Sequence, residues 1–143
     1  MKFAVLIVIC VFSTCLGFWD SECQVNSGVK CKNDIEMFEV ESNKICPMPI
    51  MVSSKISVFW SGTFLSAQNI TSLKLKVYYG FLLVKTIKNE LEGFYEENEY
   101  ENFEYHFEVP SYSPIGKYSI SGGLINSEGE QINCWKSQIE ITN

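Results

Sequence analysis

His106 is the one histidine in the chain, and it stands between Glu104 and Glu108. An imidazole among carboxylates is where general-base chemistry would be sought. Hydrolysis would need a nucleophile beside the ring and an acid to orient it. No G-x-S-x-G nucleophile turn is written in the sequence, and no glycine-rich phosphate loop. With 17 acidic residues, paired carboxylates are too common to specify a glycosidase. His106 is therefore expected on a solvated surface. The chain is expected not to be an enzyme, with no catalytic residues and no cofactor.

Cysteine is the next candidate for chemistry. The chain opens MKFAVLIVICVFSTCLG: a positive Lys2, an apolar run from Phe3 to Phe12, then small Cys15 and Gly17. That is the pattern of a secretory signal peptide, residues 1–17, cleaved after Gly17. The apolar run is shorter than the ~20 residues that span a bilayer. Cleavage would leave residues 18–143 as one domain with four cysteines: Cys23, Cys31, Cys46 and Cys134. Four cysteines in an exported chain read as two disulfides. Zinc sites favour close pairs such as C-x2-C, and these cysteines have 7, 14 and 87 residues between them. No metal site is expected.

The chain carries 11 lysines, no arginine, and a net charge of −6, which becomes −7 once Lys2 is removed. Nucleic acid is a poor partner for such a chain, because its binding depends on basic contacts to phosphate. Tight, static adhesion to anionic lipid is disfavoured for the same reason.

The elements that would carry any site alternate with period two, the signature of strands. In KISVFWSG, Ile56, Val58 and Trp60 share one face, with Phe59 interrupting the other. In LKLKVYYG, Leu73, Leu75, Val77 and Tyr79 oppose Lys74, Lys76 and Tyr78. In NFEYHFEV, Phe103, Tyr105, Phe107 and Val109 oppose Glu104, His106 and Glu108. Tyr118, Ile120 and Leu124 alternate with small residues in KYSISGGLI, where Gly122–Gly123 suggests a bulge or a close approach. In WKSQIEI, Trp135, Ile139 and Ile141 oppose Lys136, Gln138 and Glu140. An earlier strand is expected over 35–40. Residues 66–72 read as an exposed turn carrying the sequon Asn69-Ile70-Thr71, a glycosylation site in an exported chain. Many strands divided by Gly, Pro, Asn and Ser turns indicate an all-β antiparallel sandwich.

The run ELEGFYEENEYENFEYHFE, residues 90–108, mixes eight glutamates with six aromatics. It reads either as an edge strand with a solvated acidic face, or as a rim loop in which Phe94, Tyr95 and Tyr100 guard an opening. Periodicity does not separate a filled core from a hollow one. Two sheets at the usual ~10 Å spacing pack solidly. The same inward residues line a pocket if the sheets splay.

Several segments, in order, resemble the ML lipid-recognition family: FWDSEC, VKC, ICP before KISVFW, LKVYYGFLL, FEVPSYSPIGKYSISGGL and EQINCWKSQIEI. The most specific part is Pro114-x-Gly116-x-Tyr118 followed by the late Cys134–Trp135 pair. The likeness runs over nearly all of 18–143. It implies an immunoglobulin-like sandwich with an apolar cavity between the sheets, and disulfides Cys23–Cys46 and Cys31–Cys134. It also implies a lipid-binding carrier, secreted or in an endosomal or lysosomal lumen. The cargo would be a sterol or a phospholipid such as phosphatidylglycerol or phosphatidylinositol. Membrane contact would be transient and the protein a monomer. Presentation of a lipid to a receptor or enzyme is the alternative. The inward positions it marks as lining the pocket are Val58, Trp60, Val77, Tyr79, Phe103, Tyr105, Phe107, Tyr118, Ile120 and Trp135, with Pro110 and Tyr112 at the mouth. One departure stands out: the family often has a further disulfide near 86–102, and this chain has no cysteine there. A true immunoglobulin domain fits less well. Cys46 and Trp60 are suitably spaced, but Ile132 occupies the position where a corner tyrosine would precede the second cysteine.

Overall fold

The computed structural model describes residues 23–25, 28–32 and 36–143. The expected signal peptide and Ile35 lie outside the described residues. The strands are β1 (Gln24–Val25), β2 (Val29–Lys30), β3 (Phe38–Cys46), β4 (Ile50–Met51), β5 (Lys55–Phe64), β6 (Gln68–Tyr79), β7 (Leu82–Tyr95), β8 (Tyr100–Glu108), β9 (Gly116–Asn126) and β10 (Trp135–Thr142). They form two sheets, ordered β1-β3-β5-β8 and β2-β10-β9-β6-β7. Pairing is antiparallel throughout except for β4, which lies parallel to β10. The protein is an all-β two-sheet sandwich.

Alternation places the apolar halves of the strands inward. Ile56, Val58, Trp60 and Phe64 of β5 are buried, as are Ile70, Leu73, Leu75 and Val77 of β6 and Tyr118, Ile120 and Leu124 of β9. One cluster of buried side chains joins both sheets. Phe59, the aromatic on the polar side of β5, is only half-buried and takes the Lys44 ammonium over its ring, 5.1 Å from the centroid. The close approach suggested at Gly122–Gly123 is present. A Cβ on Gly123 would collide with the Asn133 carbonyl.

Two expectations are corrected and one alternative is decided. The early strand begins at Phe38, not 35, and continues to Cys46, because Ile45 supplies a further buried position and β5 pairs along the whole length. Residues 66–72 are mostly strand, not turn. Ile70 is fully buried while Asn69 stays exposed, so period-two burial carries β6 back to Gln68. Asn69 therefore lies opposite Phe94 in a ladder rather than at a loop tip. Of the two readings of the acidic run, the edge strand is the one the structure shows. The run is the end of β7, a turn over 96–99, and β8. β7 and β8 are edge strands of the two sheets.

Two disulfides tie the amino-terminal segment to the sandwich: Cys23–Cys46 and Cys31–Cys134. The second joins residues 103 apart in sequence. In the chain-entropy treatment, a loop of that length removes ~4–5 kcal/mol of unfolded-state freedom.

Candidate functional site

The space between the sheets differs at its two ends. At one end Phe38, Phe64, Tyr95 and Phe103 close it. Phe64 stacks on Tyr95 with ring centroids 4.7 Å apart, and Phe38 tilts against Phe64 at 4.8 Å. Phe103 meets Phe38 and Tyr95 edge-on at 5.6 and 5.7 Å. At the other end lies an apolar cavity of about 270 Å3.

Five strands and one loop build that cavity. β6 and β7 bring Val77, Tyr79, Leu82, Val84, Lys85 and Ile87 from either side of a hairpin turn at Gly80–Phe81. β8 and the segment after it bring Phe107, Val109, Pro110, Tyr112, Ser113 and Pro114. β9 adds Tyr118, and β10 adds Ile139 and Ile141. Val109 is pinned by backbone hydrogen bonds with Ser53 and Ser54, at 2.8 and 2.9 Å. A turn closes the next segment, with Ser113 N–H donating to the Pro110 carbonyl.

The Pro-x-Gly-x-Tyr element now has a physical role. The Tyr118 hydroxyl donates to the Pro114 carbonyl at 2.6 Å, fixing the loop against the start of β9. Gly116 has φ +141°, a region L side chains rarely adopt, and it lies in contact range of the Tyr79 ring. Tyr79 and Tyr118 rings lie 4.9 Å apart. Burial, and then the neighbouring Tyr79, push the Tyr118 phenol above its ordinary value.

Charged residues touch the cavity at two places, Lys85 and Glu108. Their orientations differ. Glu108 alternates with Phe107 and sits across from Lys55, so its carboxylate belongs to the outer face of its sheet. Lys85 sits directly across from Val77, whose side chain is buried. Directly opposed residues share a face, so Lys85 lies on the inner face, at an exposed edge.

The twelve positions marked from sequence divide evenly. Val77, Tyr79, Phe107, Pro110, Tyr112 and Tyr118 line the cavity. Val58, Trp60 and Ile120 are packed within the core, and Phe103 belongs to the aromatic closure. Tyr105 packs against the core and stacks on Phe107 at 6.2 Å without lining the cavity. Trp135 borders a minor crevice with Phe38 and Val40 instead. Alternation identified inward positions but not which of them face a void. Leu82, Val84, Lys85 and Ile87 were missed because the edge strand β7 opens with an unbroken apolar run, FLLV, that has no alternation to read.

His106 is not isolated. Its Nδ1 lies 2.8 Å from Ser57 Oγ, and its Nε2 lies 3.0 Å from Glu104 Oε1. Sequence reading missed this row because Ser57 and His106 meet only through the β5–β8 register. The order Ser–His–acid is that of a hydrolytic triad. However, His106 and Glu104 are more than half exposed, and none of the three residues lines the cavity. Ser57 lies on β5, which pairs with strands on both sides, so the backbone N–H groups around it serve the ladders. No oxyanion site forms there. Among the described residues, no group of His, Cys, Asp and Glu could hold a metal ion.

No family model matches the sequence, and no curated protein matches it. Solved structures do. A Niemann–Pick type C2 protein from the Japanese carpenter ant superposes with a TM-score of 0.57 and 17% identity, over 80% of this chain and 99% of that one. Chicken MD-1, solved in complex with lipid IVa, gives 0.55 and 11% identity, over 85% and 92%. The C-terminal domain of wzt gives 0.65 and 8% identity, over 82% and 80%. The shared property is the fold. One of these sandwiches holds a lipid.

Proposed function

We propose that this protein is a lipid carrier that accepts cargo from one membrane and delivers it to another. The observation that carries the reading is the placement of the void. An apolar cavity lies at one end of the sandwich, beside exposed apolar side chains at the hairpin tip and the following loop. Phe81, Leu82, Leu83, Val84, Tyr112 and Ile115 are all exposed there. A polar surface would isolate a buried hydrocarbon, whereas an apolar tip can touch a bilayer transiently and let cargo pass. Burial of apolar ligand surface supplies ~25 cal/mol per Å2. Several hundred Å2 give on the order of 10 kcal/mol before the costs of association.

The cargo classes implied by sequence resemblance are a sterol and an anionic phospholipid such as phosphatidylglycerol or phosphatidylinositol. The two disulfides suit an oxidising, extracellular or lumenal setting. A glycan on exposed Asn69 belongs to the same reading. It would appear as a glycosidase-sensitive mass in protein recovered from the secretory route.

The deciding experiment is transfer of labelled lipid between donor and acceptor vesicles by the purified protein alone. Transfer that rises with protein concentration supports the carrier. Stoichiometric binding to a receptor or enzyme, with no transfer between vesicles, would replace it with lipid presentation.

A further inference from the structure

The geometry points to a specific cargo class: an amphiphile with one acyl chain and one anionic head, its chain in the cavity and its head against Lys85. The inference rests on the lipid-carrier reading and narrows it. Two observations carry it independently.

The first is size. The cavity holds about 270 Å3. It falls just under the ~300–1,000 Å3 of pockets for drug-sized ligands. One slim acyl chain suits such a space, whereas a sterol's rigid fused rings are themselves of drug size. The far end, where Phe38, Phe64, Tyr95 and Phe103 interlock, limits how deep a chain can run between the sheets.

The second is charge. Among the described residues, Lys85 is the one charged side chain that shares the inner face with the cavity wall, through its register with buried Val77. It is exposed, and it makes no ion pair with any described residue. The other charge at the wall, Glu108, is directed to the outer face across from Lys55. A lysine places an apolar stem along a greasy wall and keeps its ammonium in water. At an open edge, that arrangement anchors a negative head while the tail stays dry. A carboxylate and a phosphate monoester share the chemistry, and the head is read as a single negative group.

The test uses delipidated protein purified from cells expressing the full chain. Calorimetric titration would compare fatty carboxylates of increasing length, the alcohols of matching length, an anionic lysophospholipid, cholesterol and dioleoyl phosphatidylglycerol. Affinity for carboxylates should rise roughly fourfold per methylene and level off once the cavity is filled. Lys85→Met keeps the stem and removes the charge. It should weaken carboxylate binding roughly tenfold and leave alcohol binding unchanged. Lys88→Met is the control. Lys88 sits across from Lys74 on the outer face and pairs with Glu90 at 3.4 Å, so neither ligand should respond. Matching thermal melts would show that both variants are folded.

A stronger response to lysophospholipid than to carboxylate would assign the head to phosphate, and the reverse to carboxylate. Either supports the inference. Cholesterol or the two-chain lipid binding as tightly as the single-chain anions would overturn it and leave the carrier reading standing. So would equal losses for carboxylate and alcohol in Lys85→Met. Failure of every amphiphile to bind would remove the carrier reading itself.

Discussion

The two ends of the inter-sheet space are made from the same kinds of residue and reach opposite results. At the closed end, rings from β3, β5, β7 and β8 meet at 4.7–5.7 Å and exclude everything else. At the open end, the walls are Val77, Ile139 and Ile141 on one side and Phe107 and Val109 on the other, and nothing crosses between them. The difference lies in where the rings stand: at the closed end rings from both sheets meet, whereas at the open end Tyr79 and Tyr118, from one sheet, pair with each other and leave the gap vacant. The closed end serves stability, and the open end spends some of it to keep a void. Hydroxyl contacts mark the division as well. Tyr118 at the open end braces a loop through Pro114, while the rings at the closed end hold one another.

The largest effect on this comparison should come from opening the closed end. Phe64 is fully buried at its centre. Phe64→Ala should cost about 3–5 kcal/mol in a denaturant titration. Phe107→Ala, at a wall that is already half-vacant, should cost clearly less. Equal costs would mean that the two ends are packed alike. The converse change closes the open end. Ile139→Phe places a ring in the cavity, and lipid binding should fall at least tenfold while stability shifts by about 1 kcal/mol or less. Retained affinity would place the lipid elsewhere.

Smaller effects probe the brace and the tip. Tyr118→Phe removes the hydroxyl that donates to Pro114 and should cost about 1 kcal/mol. It should also flatten part of the alkaline pH dependence. The folded state holds the Tyr118 proton more tightly than the unfolded chain, whose value is near the ordinary 10.0. That contribution is complete below pH 10 and is lost as pH rises through the raised folded value. Thermal melts of both proteins across that window check the sign. Phe81→Ser should leave stability within about 0.5 kcal/mol, since the side chain is fully exposed. It should slow vesicle-to-vesicle transfer without weakening ligand binding in solution.

Much of the fold is legible in the residues. Val58, Trp60, Leu75 and Ile120 alternate with polar neighbours, and each is buried where alternation puts it. The Pro-x-Gly-x-Tyr element was visible as a motif, and the structure supplied its reason in one hydrogen bond and one positive φ. The candidate site was half legible. Tyr79, Phe107 and Tyr118 were found as inward residues, and so were Val58 and Ile120, which touch no void. Asn69 was misplaced in a turn because the polar letters of SAQNITS outweigh the one buried isoleucine within them.

By itself the sequence determined most of the long strands, though not β7, together with their inward faces and the absence of a nucleophile turn, because these depend on local chemistry and a two-residue repeat. Tertiary structure alone decided which end is hollow, that Lys85 faces inward, and that Ser57, His106 and Glu104 form a row. Each of those depends on cross-strand register and on how far side chains reach across the gap. Residues distant in the chain set both together.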